Sequence, residues 1–121
     1  MNPPTNNHYL EQIQKELAVA RAALQTGNDG KARVCSRRAA GQAITWLLSV
    51  FPHDDWGSDA MRQLMHLRDD SSFPIEVREA AVRLTTKISQ KFDYPFTNDP
   101  IEDAQVIIGS THSFMGHHDI R

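Results

Sequence analysis

Apolar residues recur every three or four positions through most of this chain, and no stretch alternates apolar and polar residues as a strand would. The first such segment spans about residues 8–26, and its apolar positions share one helical face: Leu10, Ile13, Leu17, Ala20 and Leu24. Similar patterns cover about residues 30–50, a short stretch around 61–67, and the segments that begin near 74 and 100. We therefore expect an all-α, up-and-down bundle of four to five helices.

Turn and capping residues indicate where these helices begin and end. Gly27 suits the left-handed position after the first helix, and the short connection that follows it predicts an antiparallel hairpin of the first two helices. Ser58 is expected to cap the third helix. Pro74 and Pro100 are expected in the first turns of the fourth and fifth helices, where a proline costs nothing.

The length of 121 residues fits one domain. We expect residues 1–7 to be disordered, residues 8–116 to form a single helical bundle, and residues 117–121 to be a flexible tail. Lys and Arg number 13 against 15 Asp and Glu, for a formal net charge of -2. That balance argues against a dedicated DNA-coating or membrane-surface protein, but it allows a local basic patch.

Cys35 is the single cysteine, so the chain has no internal disulfide, and no disulfide-linked partner is expected. Its place on an apolar face among alanines favours a packed side chain over a nucleophile. No apolar run approaches the ~20 residues that span a bilayer, so we expect a cytoplasmic protein without a membrane partner. We expect no cofactor and no built metal site, because among His112, His117 and His118 only the last two are near neighbours.

The densest feature is a basic cluster at the start of the second predicted helix, made up of Lys31, Arg33, Arg37 and Arg38. Arg33 and Arg37 share one flank of the helix, and Lys31 and Arg38 share the other. Four cations near a helix N-terminus predict an anion- or phosphate-binding site. The alternative is structural: these side chains border the core and pair with acidic residues such as Asp69, Asp70 or Glu79.

His66 follows Arg62 by one turn of the third predicted helix, so both side chains project from one side of it. An imidazole that moves a proton, beside a guanidinium that stabilises charge on phosphate, could act on a phosphodiester. Arg62 and His66 are therefore the candidate catalytic residues. The alternative is an ordinary solvated helix face.

Three segments of the chain together resemble HEPN domains. They are residues 23–28 (ALQTGN) at the end of the first helix, residues 38–44 (RAAGQAI) leading into 46–48 (WLL), and residues 103–108 (DAQVII) in the last helix. The resemblance covers about residues 8–116. It implies an up-and-down helical bundle, often a symmetric dimer, that acts in nucleotide or RNA chemistry.

The resemblance also bears on activity. Some HEPN domains are metal-independent ribonucleases, and others serve as the toxin or partner of a nucleotidyltransferase. In the ribonucleases an arginine and a histidine are spaced more widely than Arg62 and His66, which have three residues between them. We therefore expect a non-catalytic, homodimeric HEPN-like module that binds a nucleotide, RNA or a nucleotidyltransferase-type partner.

Two alternatives stay open at this point. One is a metal-independent, toxin-like ribonuclease that uses His66 as acid or base and Arg62 on the phosphate. The other is a homodimeric protein-interaction bundle, in which apolar residues in excess of one core form the dimer seam: Trp56, Phe73, Phe92 and Phe96.

Overall fold

The computed structural model describes residues 6–52, 54–87 and 99–119. Over these ranges the protein contains five α-helices, one short 3₁₀ turn at Asp54–Trp56 and no strand. The helices are α1 (Asn6–Gln25), α2 (Asp29–Val50), α3 (Ala60–Asp69), α4 (Ile75–Thr85) and α5 (Pro100–Asp119). The prediction of an all-α bundle is confirmed. None of the described helices is both long and apolar enough to cross a membrane.

α2 is the central helix of the bundle. It packs against α1, α3 and α5, and α4 packs against α3 and α5. The buried face of α2 is made largely of small residues, which lets other helices approach closely: Ala32, Cys35, Ser36, Ala39, Ala40, Gly41 and Ala43. The largest apolar side chains that are fully buried are Ile44, Leu64, Leu67, Leu84 and Ile107. Each contributes about 1.5–3 kcal/mol through burial. They belong to a single buried cluster, so the core is continuous across α2–α5.

The connection between α1 and α2 forms as the sequence predicts. Gly27 has a φ of 78°, in the left-handed region that glycine adopts without strain. The side chain of Asn28 then caps α2, because its Oδ1 accepts a hydrogen bond from the backbone N–H of Lys31 at 3.1 Å.

Two other predicted helix starts are displaced by one residue. Asp59, not Ser58, caps α3: its carboxylate accepts a hydrogen bond from the backbone N–H of Arg62 at 3.0 Å. Pro74 lies at the N-cap of α4 and not in its first turn. In both cases neighbouring residues suit the cap, and the backbone conformation decides between them.

α5 begins at Pro100 as predicted, with Asp99 as its cap: the Asp99 carboxylate accepts from the backbone N–H of Glu102 at 2.8 Å. The helix continues to Asp119, three residues beyond the predicted domain end at 116. At the other end of the chain, α1 already includes residues 6 and 7. Residues 1–5, 120 and 121 lie outside the described ranges.

Two of the four aromatic residues assigned to a dimer seam pack inside the bundle instead. Trp56 is buried, and its ring centroid lies 6.5 Å from that of Phe73. Phe73 in turn lies 6.1 Å from Phe114 of α5. The 3₁₀ turn folds Trp56 back onto the core, so these rings cover their own chain. Phe92 and Phe96 lie outside the described residues.

Candidate functional site

One face of α2 carries a mostly polar stripe instead of core residues. Its members are three or four positions apart and line a cleft: Val34, Arg37, Arg38, Gly41, Gln42 and Thr45. This spacing places all of them on the same side of the helix. The stripe lies away from the alanine-rich core face, so a helix that is central to the packing also presents functional groups.

The cleft lies between this stripe and the segment that enters α3. The opposite wall is formed by residues 58–61 and Gln63, and Glu16 of α1 completes the lining. The cleft volume is about 390 Å³. That value falls within the range of about 300–1,000 Å³ that is usual for small-molecule sites.

Gly41 allows the two walls of the cleft to come together. A Cβ built at this glycine would lie 2.7 Å from the Cβ of Ala60 and 3.2 Å from its Cα. The Cα is a backbone atom and the Cβ is bonded directly to it, so neither can move aside unless the start of α3 moves. The close approach of α2 and α3 at this point therefore requires glycine.

Gln63 joins the two walls through hydrogen bonds. Its side-chain Nε2 donates to Thr45 Oγ1 at 3.1 Å and to the carbonyl oxygen of Gly57 at 3.0 Å. The residue is 1% exposed. Its Oε1 is buried, accepts no hydrogen bond within the described part of the chain, and lies 3.5 Å from the position of a Cβ at Gly41. A fixed amide thus lies at the base of the cleft.

Arg33 and Arg37 of the basic cluster hold the end of α4. Arg33 is buried, and its Nη2 donates to the carbonyl oxygens of Arg83, at 2.7 Å, and of Thr86. Arg37 donates through Nε to the carbonyl oxygen of Leu84 at 2.7 Å. The last carbonyls of a helix have no donor within the helix. Two guanidinium groups from α2 supply those donors, so this half of the cluster has a structural role.

Lys31 and Arg38, the other half of the cluster, are exposed, and only Arg38 lines the cleft. The cleft thus receives Arg37 and Arg38 from the predicted anion site. Asp69, one of the acidic residues considered as a structural partner, pairs with its neighbour Arg68 at 3.0 Å. The hydrogen bond from Arg68 lowers the pKa of the Asp69 carboxyl.

Cys35 is buried, and its thiol interacts electrostatically with Glu16, one of the residues that line the cleft. Burial raises the pKa of this thiol, the negative charge of Glu16 raises it further, and the positive charges of Arg38 and Lys31 act in the opposite direction. The protonated thiol is the favoured form, as expected of a packed cysteine.

Arg62 and His66 stand outside the cleft lining. The imidazole of His66 stacks on the indole of Trp56, with ring centroids 5.6 Å apart and an interplanar angle of 15°. Arg62 is exposed, and its Cδ lies 3.5 Å from the position of a Cβ at Gly57. Both residues are on α3 as predicted, but neither lines the cleft; the polar side chain that α3 contributes to it is Gln63.

Of the three histidines near the C-terminus, the structure describes the side chain of His112. His112 is exposed and meets the ring of Trp46 edge-on, with centroids 5.6 Å apart. The side chains of His117 and His118 are outside the described set. Within that set, no three His, Cys, Asp or Glu residues are placed to hold a metal ion.

Of the residues that line the cleft, only Arg37 and Arg38 are site residues that the sequence predicts. The unpredicted residues include those central to its geometry: Gly41, Gln42, Thr45, Asp59 and Gln63. A signal for the α2 part was available, because Arg37, Gly41 and Thr45 are each four residues apart. A glycine in the middle of an amphipathic helix, flanked by polar residues at that spacing, indicates a close approach of another segment beside a polar groove.

Comparisons with protein-family models, with curated proteins and with solved structures each found no match for this chain. The chemistry of the cleft is the basis on which a function can be proposed.

Proposed function

We propose that this protein is a non-catalytic, HEPN-like helical module that binds a nucleotide in the cleft between α2 and the start of α3. The observation that carries the proposal is the exposed guanidinium of Arg38, which lines one cleft with the hydroxyl of Thr45 and the amide of Gln42. Guanidinium groups match the geometry and charge of a phosphate group. Neutral donors beside them suit the remaining phosphate oxygens.

The acidic residues of the cleft favour a nucleotide over a simple anion. Glu16 and Asp59 line the same cleft as the two arginines, so the formal charges of the lining balance. A bare phosphate would satisfy the arginines but would leave the carboxylates largely without donors. A nucleotide carries a phosphate at one end and hydroxyl or amine donors at the other, so it can satisfy both kinds of group.

Arg38 is the residue expected to bind the phosphate group of the nucleotide. Arg37 already donates from Nε to the carbonyl oxygen of Leu84, which fixes its side chain against α4. Arg38 is exposed and reaches the cleft from the next position along the helix. Its removal should therefore weaken binding and leave the fold intact.

Calorimetric titration with AMP, GMP, CMP and UMP at low salt tests the proposal. The substitution Arg38→Ala should weaken binding of the preferred nucleotide at least about tenfold, since a hydrogen bond to a charged group contributes about 1.5–3 kcal/mol. Lys31→Ala is the matched control, because Lys31 is an exposed cation of the same cluster outside the cleft lining. The affinity of the Lys31→Ala variant for the nucleotide should stay within about twofold of the wild-type value. Absence of wild-type binding, or equal losses in both variants, would contradict the proposal.

The non-catalytic part of the proposal has its own test. Single-stranded and structured RNA incubated with the protein, with and without chelator, should remain intact. Cleavage that persists in chelator and disappears in His66→Ala would overturn this part and favour the ribonuclease hypothesis with Arg62 on the phosphate.

A further inference from the structure

Thr45 differs from the other described threonines in the direction of its hydroxyl. Four threonines, which lie within a helix or directly after its last residue, donate to a helix carbonyl three or four residues earlier: Thr26, Thr85, Thr86 and Thr111. This is the usual arrangement for a threonine in or at the end of a helix. Thr45, in the middle of α2, makes no such bond and accepts one from Gln63 Nε2 at 3.1 Å instead.

Gln63 holds this arrangement in place. The same Nε2 that donates to Thr45 also donates to the carbonyl oxygen of Gly57 at 3.0 Å, so both amide hydrogens are used. The side chain is almost fully buried, which limits its movement. The amide of Gln63 is thus fixed between the turn before α3 and the hydroxyl of Thr45.

A hydroxyl that accepts a hydrogen bond still has its own proton to donate. The proton of Thr45 is not used on the α2 backbone, and the residue is half-buried on the cleft lining beside Gly41 and Gln42. The Thr45 hydroxyl can therefore donate a hydrogen bond to a ligand in the cleft. Because Gln63 occupies the acceptor side of the oxygen, it also limits the directions in which that proton can point.

We infer that Thr45 is a ligand-binding residue that donates to a terminal phosphate of the bound nucleotide, and that Gln63 is the positioning residue that orients it. The inference rests on the proposed function and specifies its ligand class. Arg38 can donate to two phosphate oxygens through its forked guanidinium, and Thr45 can donate to a third. A phosphate monoester has three free oxygens and a phosphodiester has two, so a nucleoside monophosphate is the better match.

Titration calorimetry with two probes, AMP and 3′,5′-cyclic AMP, tests the inference. The wild type should bind AMP more tightly, because the cyclic diester lacks the third free oxygen. Thr45→Val removes the hydroxyl at nearly constant volume and should weaken AMP binding about fivefold to tenfold. Binding of the cyclic diester should change by less than about twofold. Thr45→Ser keeps the hydroxyl and should restore AMP binding to within about twofold of the wild type.

The role of Gln63 is tested by a double-mutant cycle. Gln63→Met should weaken AMP binding although its amide does not touch the ligand, and the double variant Gln63→Met, Thr45→Val should bind no more weakly than Thr45→Val alone. Fully additive losses would show that Gln63 does not act through Thr45 and would overturn its positioning role. Thermal melts establish that each variant is folded. If Gln63→Met does not fold, Gln63→Leu replaces it in the same cycle.

The outcomes separate this inference from the proposed function. A wild-type protein that binds no nucleotide contradicts the proposed function itself. A wild-type protein that binds AMP, together with a Thr45→Val variant of equal affinity, leaves the proposed function standing and refutes the role of Thr45. Equal wild-type affinity for AMP and the cyclic diester refutes the assignment of a terminal phosphate.

Discussion

The close approach of the two walls of the cleft depends on Gly41, which has no side chain. An alanine at position 41 would place its Cβ 2.7 Å from that of Ala60, so the start of α3 would have to move. Overpacking of this kind costs about 1–3 kcal/mol, which exceeds the gain of about 1 kcal/mol that alanine has over glycine in a helix. We expect Gly41→Ala to lower the free energy of unfolding in urea and to weaken nucleotide binding.

Gly109 provides the matched control for this substitution. It lies within α5, and a Cβ there would meet nothing within 4 Å. Gly109→Ala should therefore raise the free energy of unfolding by about 0.5–1 kcal/mol, because only the backbone entropy of the unfolded chain changes. Changes of the same sign in both variants would show that the contact with Ala60 does not determine the effect.

The thiol of Cys35 gives a prediction that depends on pH. Burial, assisted by the carboxylate of Glu16, raises the pKa of this group in the folded protein. The contribution of the buried thiol to stability is therefore complete below the pKa of the unfolded chain and is lost as pH rises through the higher folded pKa. Alkylation by iodoacetamide should be slower in the folded protein than in urea and should accelerate only at more alkaline pH.

Glu16→Gln tests the cause of this shift. The substitution removes the negative charge, so the pKa of Cys35 should fall and the profile of alkylation rate against pH should move toward lower pH. A thiol that reacts at neutral pH as fast in the folded protein as in urea would contradict the burial of Cys35.

At the scale of the elements, α4 ends against α2 and not against a cap of its own. Arg33 donates to the carbonyl oxygens of Arg83 and Thr86, which lie 50 and 53 residues further along the chain. Arg33→Met keeps much of the side-chain volume but leaves these carbonyls without a charged donor. We expect this variant to lower the free energy of unfolding by about 2–3 kcal/mol.

Arg38→Ala is the control, measured in the same urea series. It should change the free energy of unfolding by less than about 0.5 kcal/mol. Equal effects would contradict the division of the basic cluster into two roles.

The helices could be predicted from the sequence because their signals are local. The apolar spacing of α1, the φ of Gly27 and the Asn28 cap each depend on residues within one or two turns. The same local reasoning chose Ser58 over Asp59 as the cap of α3, because both residue types suit that position. In the structure it is Asp59 that has an extended backbone and whose carboxylate accepts from the backbone N–H of Arg62.

The candidate site could be predicted only in part, because its residues act across helices. The sequence shows a basic cluster at the start of α2, but not that the end of α4 lies against Arg33 and Arg37. It also could not show that Gln63 would meet Thr45, since that contact depends on the turn at Gly57. Long-range packing decides which members of a charged cluster are structural and which are available to a ligand.

At the scale of the whole molecule, an ion pair joins α4 to α5. Asp103 is fully buried, the side chain of Arg83 is 23% exposed, and the carboxylate accepts a hydrogen bond from Arg83 Nε at 2.9 Å. Asp103→Ala removes this charge-assisted hydrogen bond, which should cost about 1.5–3 kcal/mol. We expect a large fall in the midpoint of thermal unfolding. The double variant Asp103→Leu, Arg83→Met should recover part of it, and no recovery would show that the loss comes from packing and not from charge.

The most direct measurement of the central claim is a titration of ¹⁵N-labelled protein with AMP, followed by the shifts of its backbone amides. Binding in the cleft should move the amides of residues 37–45 on α2 and 58–61 at the start of α3, where the lining residues lie. The amides around His66 and on the far side of α5 should move little. Shifts that cluster around Arg62 and His66, or no shifts at all, would contradict nucleotide binding between α2 and α3.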